Sequence, residues 1–506
     1  MDTTIPGPNP GTIPGVLAAA AAVHGDQPAY VDGDTVVSFA DLLTRVRDTA
    51  RGYCALGLQP GDRVCVWAPN SIEWVVAALA TTYAGGVLVP VNSRYTASEA
   101  ADIVERTAAT LAVVADGFLG RTQIADLRAA SGLETVREVV DIHDLDRLGA
   151  LTTDVDVDAR ARAVSPDDVA DILFTSGTTG RSKGAMSTHC QTTGVAEVWG
   201  SLGGVTAEDR YLVVNPFFHS FGYKVGIVTG LLTGATLYPV ATFDVDAVAR
   251  LVETARITVL PGAPTIFSSL LAADAHHTHD LSSLRLAVTG AAVVPVVLIE
   301  RMRSELGIQK VVTAFGMTEA VVATMCRGDE AAETVASTCG RAIPGMEVRI
   351  GDQGEVLLRG DYVMKGYLDD PEATAEAIDA DGWLHTGDVG TLDADGNLTI
   401  TDRLKDMYIS GGFNVYPAEV EQVLSRMDGV VDVAVAGVPD DRMGEVGKAW
   451  VVTDHTENAP TADDVIAYAR QHLANFKVPR QVELIDALPR NLSGKVLKTE
   501  LREGTA

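Results

Sequence analysis

The segment Phe174-Thr-Ser-Gly-Thr-Thr-Gly-Arg-Ser-Lys-Gly184 gathers small residues and hydroxyls and ends on a lysine. Glycines let a backbone approach phosphate oxygens. Ser176, Thr178 and Thr179 supply hydroxyl donors, and Lys183 supplies positive charge. The run therefore reads as a phosphate-binding loop of Thr175, Ser176, Gly177, Thr178, Thr179, Gly180 and Lys183. It is not a Walker A loop, because Ser182 stands where that motif has the glycine before its lysine. A plain polar turn is the competing reading. Six consecutive Gly, Ser and Thr residues followed by a lysine argue against it.

Such a loop needs a buried strand behind it, and the apolar run Val169 to Phe174 supplies one; α/β proteins place ligand loops at such strand ends. Strands and helices alternate through most of the chain. Arg63 to Trp67 reads as a strand. Asn70 is expected to cap the next helix, with Glu73 completing a capping box, and Ile72, Val75, Val76, Leu79 and Tyr83 mark a buried face at helical spacing. Gly85-Gly86 stops that helix before a strand at Val87 to Val91. Thr96 and Glu99 form a second cap pair, and Leu111 to Val114 is a further strand. Asp244 to Ala255 reads as a helix followed by a strand at Ile257 to Leu260. Alternation of this kind implies parallel sheets with helices on both faces. Near Asp402–Asp406 the text changes from glycine-rich turns to a compact α+β segment, with a helix starting near Pro417. We place a domain boundary at Lys405, giving units 1–404 and 405–506.

The chain has 506 residues, too many for one compact core, so several packed subdomains are expected. Its formal net charge of −29 argues against nucleic acid as a partner, because phosphate backbones are bound by basic faces. Basic residues do collect near the end, at Lys477, Arg480, Arg490, Lys495, Lys498 and Arg502. The five cysteines form no CxxC pair, which fits a reducing, cytoplasmic setting without zinc or disulfides. No stretch has the length of a membrane span or the charged leader of a signal peptide, so no membrane partner is expected.

Further blocks follow the loop in order: Asn215-Pro-Phe-Phe-His219, Val288-Thr-Gly290-Ala-Ala, Ala314-Phe315-Gly-Met-Thr318-Glu319, Trp383-Leu-His-Thr-Gly-Asp388, Thr401-Asp-Arg403-Leu-Lys405 and Leu488-Pro-Arg-Asn-Leu-Ser-Gly494-Lys495. Together they resemble the adenylate-forming superfamily of acyl-CoA synthetases, peptide-synthetase adenylation domains and beetle luciferases, over nearly the whole chain. The resemblance implies an α/β fold: a large N-terminal domain of parallel-sheet αβαβα subdomains plus a small distorted barrel, followed by a small mobile C-terminal α+β domain. It implies ATP, Mg and coenzyme A as cofactors, and activation of a small-molecule carboxylic acid as an acyl-adenylate before transfer to the thiol.

The resemblance also assigns residues. Lys495 matches the catalytic lysine, and attack of a carboxylate on a phosphate needs such neutralising charge. Thr318 is expected at the α-phosphate and Glu319 at Mg²⁺, a hard cation that takes oxygen ligands. Gly290, Ala291, Ala292, Phe315, Gly316 and Met317 would border the adenylate, with Phe315 in place of the family's common tyrosine. Asp388 would accept both ribose hydroxyls and Arg403 reinforce it. Lys405 would be the pivot on which the small domain turns, bringing Ser410-Gly-Gly-Phe413 to a pantetheine passage. His219, among Phe217, Phe218, Phe221 and Tyr223, either gates the acyl site or is a packed core histidine. An acyl pocket is expected to be lined by Phe218, Tyr223, Gly290, Phe315, Gly316 and Met317, with Ala320 to Thr324 as a nearby wall.

Asp171 to Lys183, Asp402 to Tyr408 and Gly411 to Val423 are similar to ligases of steroid-ring propanoates, or of related terpenoid acids, so a bulky polycyclic acid is expected. A homodimer is compatible with the resemblance. Two other readings stay open here: an enzyme that stops at the acyl-adenylate, and luciferase-like oxidation. A dead binding protein would be expected to lack Lys495, Glu319 or Asp388, and all three are present.

Overall fold

The computed structural model describes residues 10–504 except 176–181, 274, 291–293, 295, 329, 404–405, 411–412, 416, 441–442, 455–458, 474 and 492–494; for 276, 332, 402–403, 409, 413–414 and 444 it describes the backbone alone. Two large sheets dominate. One runs across Gly366–Tyr367, Gly184–Thr188, Val169–Phe174, Val87–Val91, Arg63–Trp67, Leu111–Val114 and Glu138–Asp141. Its strands from Val169 outward are parallel, and its first two are antiparallel. The other has nine strands. Its centre, Lys310–Met317, Leu286–Gly290, Val259–Gly262, Arg210–Val213 and Thr236–Pro239, is parallel. The parallel centres are the arrangement the strand–helix alternation implies.

The helix Ile72–Tyr83 shows why a single buried stripe understates its position. Every residue of it except Glu73 is buried. A helix apolar on all sides is one packed on all sides, and this one belongs to the main hydrophobic core. Its cap also differs from the expectation. Ser71, not Asn70, is the N-cap, and its Oγ accepts from Trp74 N–H at 3.1 Å. Asn70 is buried and is drawn elsewhere: Nδ2 donates to the Asn215 carbonyl at 2.9 Å and Oδ1 accepts from Phe217 N–H at 2.7 Å. A buried amide goes where unpaired backbone groups are, and the 215–217 loop has them. The Thr96–Glu99 capping box forms as expected. The helix Val245–Ala255, capped by Asp244, forms too, and the strand after it is Val259–Gly262, two residues beyond the expected start.

A four-stranded antiparallel sheet, Met346–Ile350, Glu355–Gly360, Leu384–Leu392 and Leu398–Arg403, follows. The last part builds a five-stranded sheet around the long hairpin Val430–Asp440 and Gly444–Thr453, with helices Pro417–Leu424 and Ala462–His472. Its two hydrophobic clusters draw on residues from Tyr408 onward. Among the described residues no helix is long and apolar enough to cross a membrane.

Candidate active site

The phosphate-loop segment leaves the strand Val169–Phe174 and returns in the antiparallel strand Gly184–Thr188, so it spans a hairpin. Ser176, Gly177, Thr178, Thr179 and Gly180 lie outside the described residues. The ends of the loop are fixed. Thr175 N–H donates to the Lys183 carbonyl at 2.9 Å, and Arg106 reaches the Ser182 carbonyl with Nη2 at 2.7 Å while its guanidinium covers the Phe174 ring at 4.9 Å. Arg106 is a contributor the motif reading missed, since it comes from a different helix, Ala97–Arg106.

Beneath the loop, β-structure supplies the opposite wall. Gly290 ends its strand beside Ala314. A Cβ at Gly290 would lie 2.5 Å from the Ala314 carbonyl oxygen, and one at Gly316 only 2.0 Å from the Val321 carbonyl oxygen. Both positions therefore demand glycine, the usual reason for glycine where one backbone approaches another closely. The register shifts between Phe315 and Met317, an irregularity of the kind that re-aims side chains beside active sites. Thr318 and Glu319 form the two-residue turn that links Met317 to Ala320. The following segment, Ala320–Met325, is a strand buried at every position. Ala291 and Ala292 lie outside the described residues.

Glu319 is buried, with relative exposure of 7%. Its carbonyl accepts from Met364 N–H at 2.7 Å, and its Oε1 accepts the phenol proton of Tyr367 at 2.7 Å. The Lys183 ammonium stands 5.0 Å from the centroid of the same Tyr367 ring. Burial, then the adjacent Glu319 carboxylate, pushes the Tyr367 phenol well above its ordinary pKa. These contacts link Lys183, through Tyr367, to Glu319 and so to the run Phe315–Thr318 beside the strand that ends at Gly290, drawn from both large sheets. Tyr367 was not singled out from the sequence.

His219 is exposed at the start of a π-helical segment, Phe221–Val228, and its Nδ1 accepts from Phe221 N–H at 3.2 Å. π-helical turns are rare and recur at functional sites. Desolvation by the surrounding protein lowers the imidazole's pKa. The packed-core alternative thus belongs to its neighbours. Phe217 and Tyr223 are buried against Trp74, at ring separations of 5.3 and 6.1 Å. Tyr223, expected to line the acyl pocket, is 1% exposed and packs in the core. Asn70 and the Asn215–Pro261 hydrogen bond of 3.1 Å anchor the His219 segment over the strand Val259–Gly262.

Asp388 is buried in the strand Leu384–Leu392, opposite Arg403 in register, rather than in a free turn. The backbone pairing fits the expected partnership, and the Arg403 side chain is outside the description. Lys405 is also outside it. Lys495 lies on a turn that it closes with Asn491: Asn491 N–H donates to the Lys495 carbonyl at 2.8 Å, and Lys495 N–H donates to Asn491 Oδ1 at 2.9 Å. Among the described residues the helix Pro417–Leu424 of this last unit touches the strand Leu398–Arg403.

A cavity of about 500 Å³ exists elsewhere, lined in part by Arg63, Val87, Val169, Met186 and Leu368. Three of these open parallel strands, the end opposite the phosphate loop. Met186 and Leu368 project from the face of the ladder that Tyr367 does not occupy. This cavity is separate from the motif-bearing surface.

Chemically, the described groups are the Lys183 ammonium, the Thr318 and Tyr367 hydroxyls and the Glu319 carboxylate. The carboxylate suits a hard divalent cation, which takes one or two protein carboxylates and leaves its other positions to phosphates and water. The residues present fit ATP with Mg²⁺.

Comparison with known proteins agrees with this chemistry. Residues 17–368 match the AMP-binding enzyme model, and residues 419–495 match the AMP-binding enzyme C-terminal domain. The chain is 58% identical, over 98% of its length and 99% of the relative's, to a (7a-methyl-1,5-dioxo-octahydro-1H-inden-4-yl)propanoyl:CoA ligase of Rhodococcus jostii. It is 55% identical to the ligase of the same description from Mycobacterium tuberculosis, over 97% of this chain and 98% of that one. The crystal structure of ATP-bound MatB from Rhodopseudomonas palustris superposes with a TM-score of 0.86 at 33% identity, covering 97% of this chain and 99% of that one.

Proposed function

The chain belongs to the AMP-binding enzyme family, and from that premise we propose that the acid it activates is a propanoate carried on a fused, oxygenated ring system. It is an AMP-forming acid–CoA ligase that uses ATP, Mg²⁺ and coenzyme A. The acid's carboxylate attacks the α-phosphorus of ATP, and pyrophosphate leaves. The thiol of CoA then attacks the acyl carbon, and AMP leaves with the electron pair of the broken acyl–phosphate bond. The observation that supports the acid is the near-full-length likeness to two ligases of one bicyclic propanoyl group.

In this reading Lys183 and the hydroxyls of the loop bind the β- and γ-phosphates. Thr318 reaches the α-phosphate, and Glu319 is the protein ligand of Mg²⁺, which offsets phosphate charge. Phe315 stacks on adenine, with Gly290, Gly316 and Met317 bordering the acyl-adenylate; glycine at 290 and 316 lets the neighbouring backbone pack closely behind that border. Asp388 holds the ribose, Lys495 neutralises charge during adenylation, and His219 gates the acid. The unit from Lys405 to the C-terminus turns between the two half-reactions, since Lys495 and a thiol passage cannot occupy one space. Lys405→Pro fixes φ near −65°. It should leave pyrophosphate release intact and abolish most thioester formation, and full ligation by this variant would exclude rotation at Lys405. The reading extends to a cytoplasmic enzyme and to a homodimer, which sedimentation would check.

The test of the function is a panel of acids, with pyrophosphate and thioester scored separately. The ring propanoate should yield both in equal amounts. Pyrophosphate and acyl-adenylate without thioester, in the presence of CoA, would overturn the ligase.

A further inference from the structure

Tyr367 sits in the short edge strand Gly366–Tyr367, where it faces Ala185 across the ladder. Its backbone is held on every side. Lys365 N–H donates to the Met186 carbonyl and Leu368 N–H to the Gly184 carbonyl, each at 2.8 Å, and Tyr367 N–H donates to Thr374 Oγ1 at 2.9 Å. Ala185 is too small to crowd the ring. The side chain therefore projects from a fixed base toward two groups of opposite charge: the hydroxyl to Glu319 Oε1 at 2.7 Å, and the ring face to the Lys183 ammonium at 5.0 Å.

We propose that Tyr367 is a positioning residue that sets Glu319 and Lys183 for Mg·ATP, by holding one carboxylate oxygen with its phenol and seating the lysine on its ring. This deepens the reading of Glu319 as the cation's ligand and of Lys183 as a phosphate contact, and rests on it. The physical need is clear. An ammonium and a carboxylate in one half-buried site attract each other, and a direct pair would neutralise both groups before nucleotide arrives. The tyrosine gives each a different partner. A donor to one carboxylate oxygen fixes the rotation of the group and keeps lone pairs of the second oxygen for the cation, as outer hydrogen bonds do for metal ligands generally. The ring face attracts the ammonium without removing its three donors, since a cation–π contact uses no N–H bond geometry.

The experiment measures ATP binding by calorimetry, with acid and CoA absent, once in Mg²⁺ and once in EDTA. Tyr367→Phe keeps the ring and removes the hydroxyl. It should reduce the gain in affinity conferred by Mg²⁺ by about 10- to 100-fold, while ATP affinity in EDTA stays at the wild-type value. Tyr367→Leu removes ring and hydroxyl and should lose affinity in both conditions, with its urea midpoint recorded to confirm a folded protein. Glu319→Gln separates the two layers of the argument. If Glu319→Gln keeps the full Mg²⁺ gain, the metal assignment itself fails. If Glu319→Gln loses the gain and Tyr367→Phe keeps it, the positioning role of Tyr367 is overturned. Equal losses in Mg²⁺ and EDTA for Tyr367→Phe would also overturn it, because the hydroxyl would then act by some route other than Glu319.

Discussion

Two lysines of this chain stand in contrasting settings. Lys183 lies at the cleft, half-buried, above the Tyr367 ring. Lys224 lies in the core at 1% exposure, 3.0 Å from Asp171, which is itself fully buried. Lys224 Nζ also donates to Ser187 Oγ at 2.7 Å, and Thr192 Oγ1 donates to Asp171 Oδ2 at 2.8 Å. Burial pulls the Lys224 pKa down and pushes that of Asp171 up, and their attraction opposes both shifts. The pair ties the strand beneath the phosphate loop to the π-helical segment that follows His219. Lys224 thus holds a frame, whereas Lys183 keeps its ammonium half-exposed over an aromatic ring. Solvent access, not residue type, separates the two.

That separation can be broken by experiment. The largest effect is expected in the frame. Lys224→Met strands a buried carboxylate and should lower stability by about 3–5 kcal/mol, and pairing it with Asp171→Leu should recover most of the loss. Urea denaturation of the single and double variants measures both. A single variant as stable as wild type would mean that the pair holds nothing together.

For the lysine assigned to adenylation the expected loss is in rate instead. Lys495→Ala should slow adenylation by about 10²–10³-fold, with stability unchanged within about 0.5 kcal/mol. Thioester formation from supplied acyl-adenylate should be spared. Equal loss in both half-reactions would remove Lys495 from its assigned step.

The smallest effect concerns a second buried member of the frame. His189 Nδ1 accepts from Ile13 N–H at 3.3 Å, and burial holds its pKa down at about 4. Its folded value lies below the unfolded one, so on acidification the unfolded chain takes up the proton first. Stability from this group is intact above about pH 6.5 and falls by roughly 1.4 kcal/mol per pH unit toward pH 4. Urea midpoints at pH 7 and pH 5 should differ less in His189→Gln than in wild type, and identical differences would exclude His189 as the cause.

What the sequence disclosed follows the same division. Strands such as Arg63–Trp67 and caps such as Thr96 with Glu99 depend on neighbours a few residues away, and both were legible. Asn70 was misread as a cap because its partners stand 145 residues on, where no local pattern announces them. Tyr367 went unnoticed for a similar reason, 48 residues from the carboxylate it serves. Lys183, Glu319 and Asp388 were singled out because they sit inside blocks that resemble a family's motifs. Tyr223 was placed in the pocket by resemblance, but a large ring beside Trp74 gains more from the core.

The central claim is that this ligase acts on a fused-ring propanoate. The most direct measurement is kcat/KM for acyl-CoA formation with a methyl-dioxo-octahydroindene propanoate against a straight-chain acid of equal carbon number. The account predicts a preference for the ring acid of at least about tenfold, the lower range of discrimination a shaped apolar pocket supplies. Equal or better ligation of the straight-chain acid would contradict it.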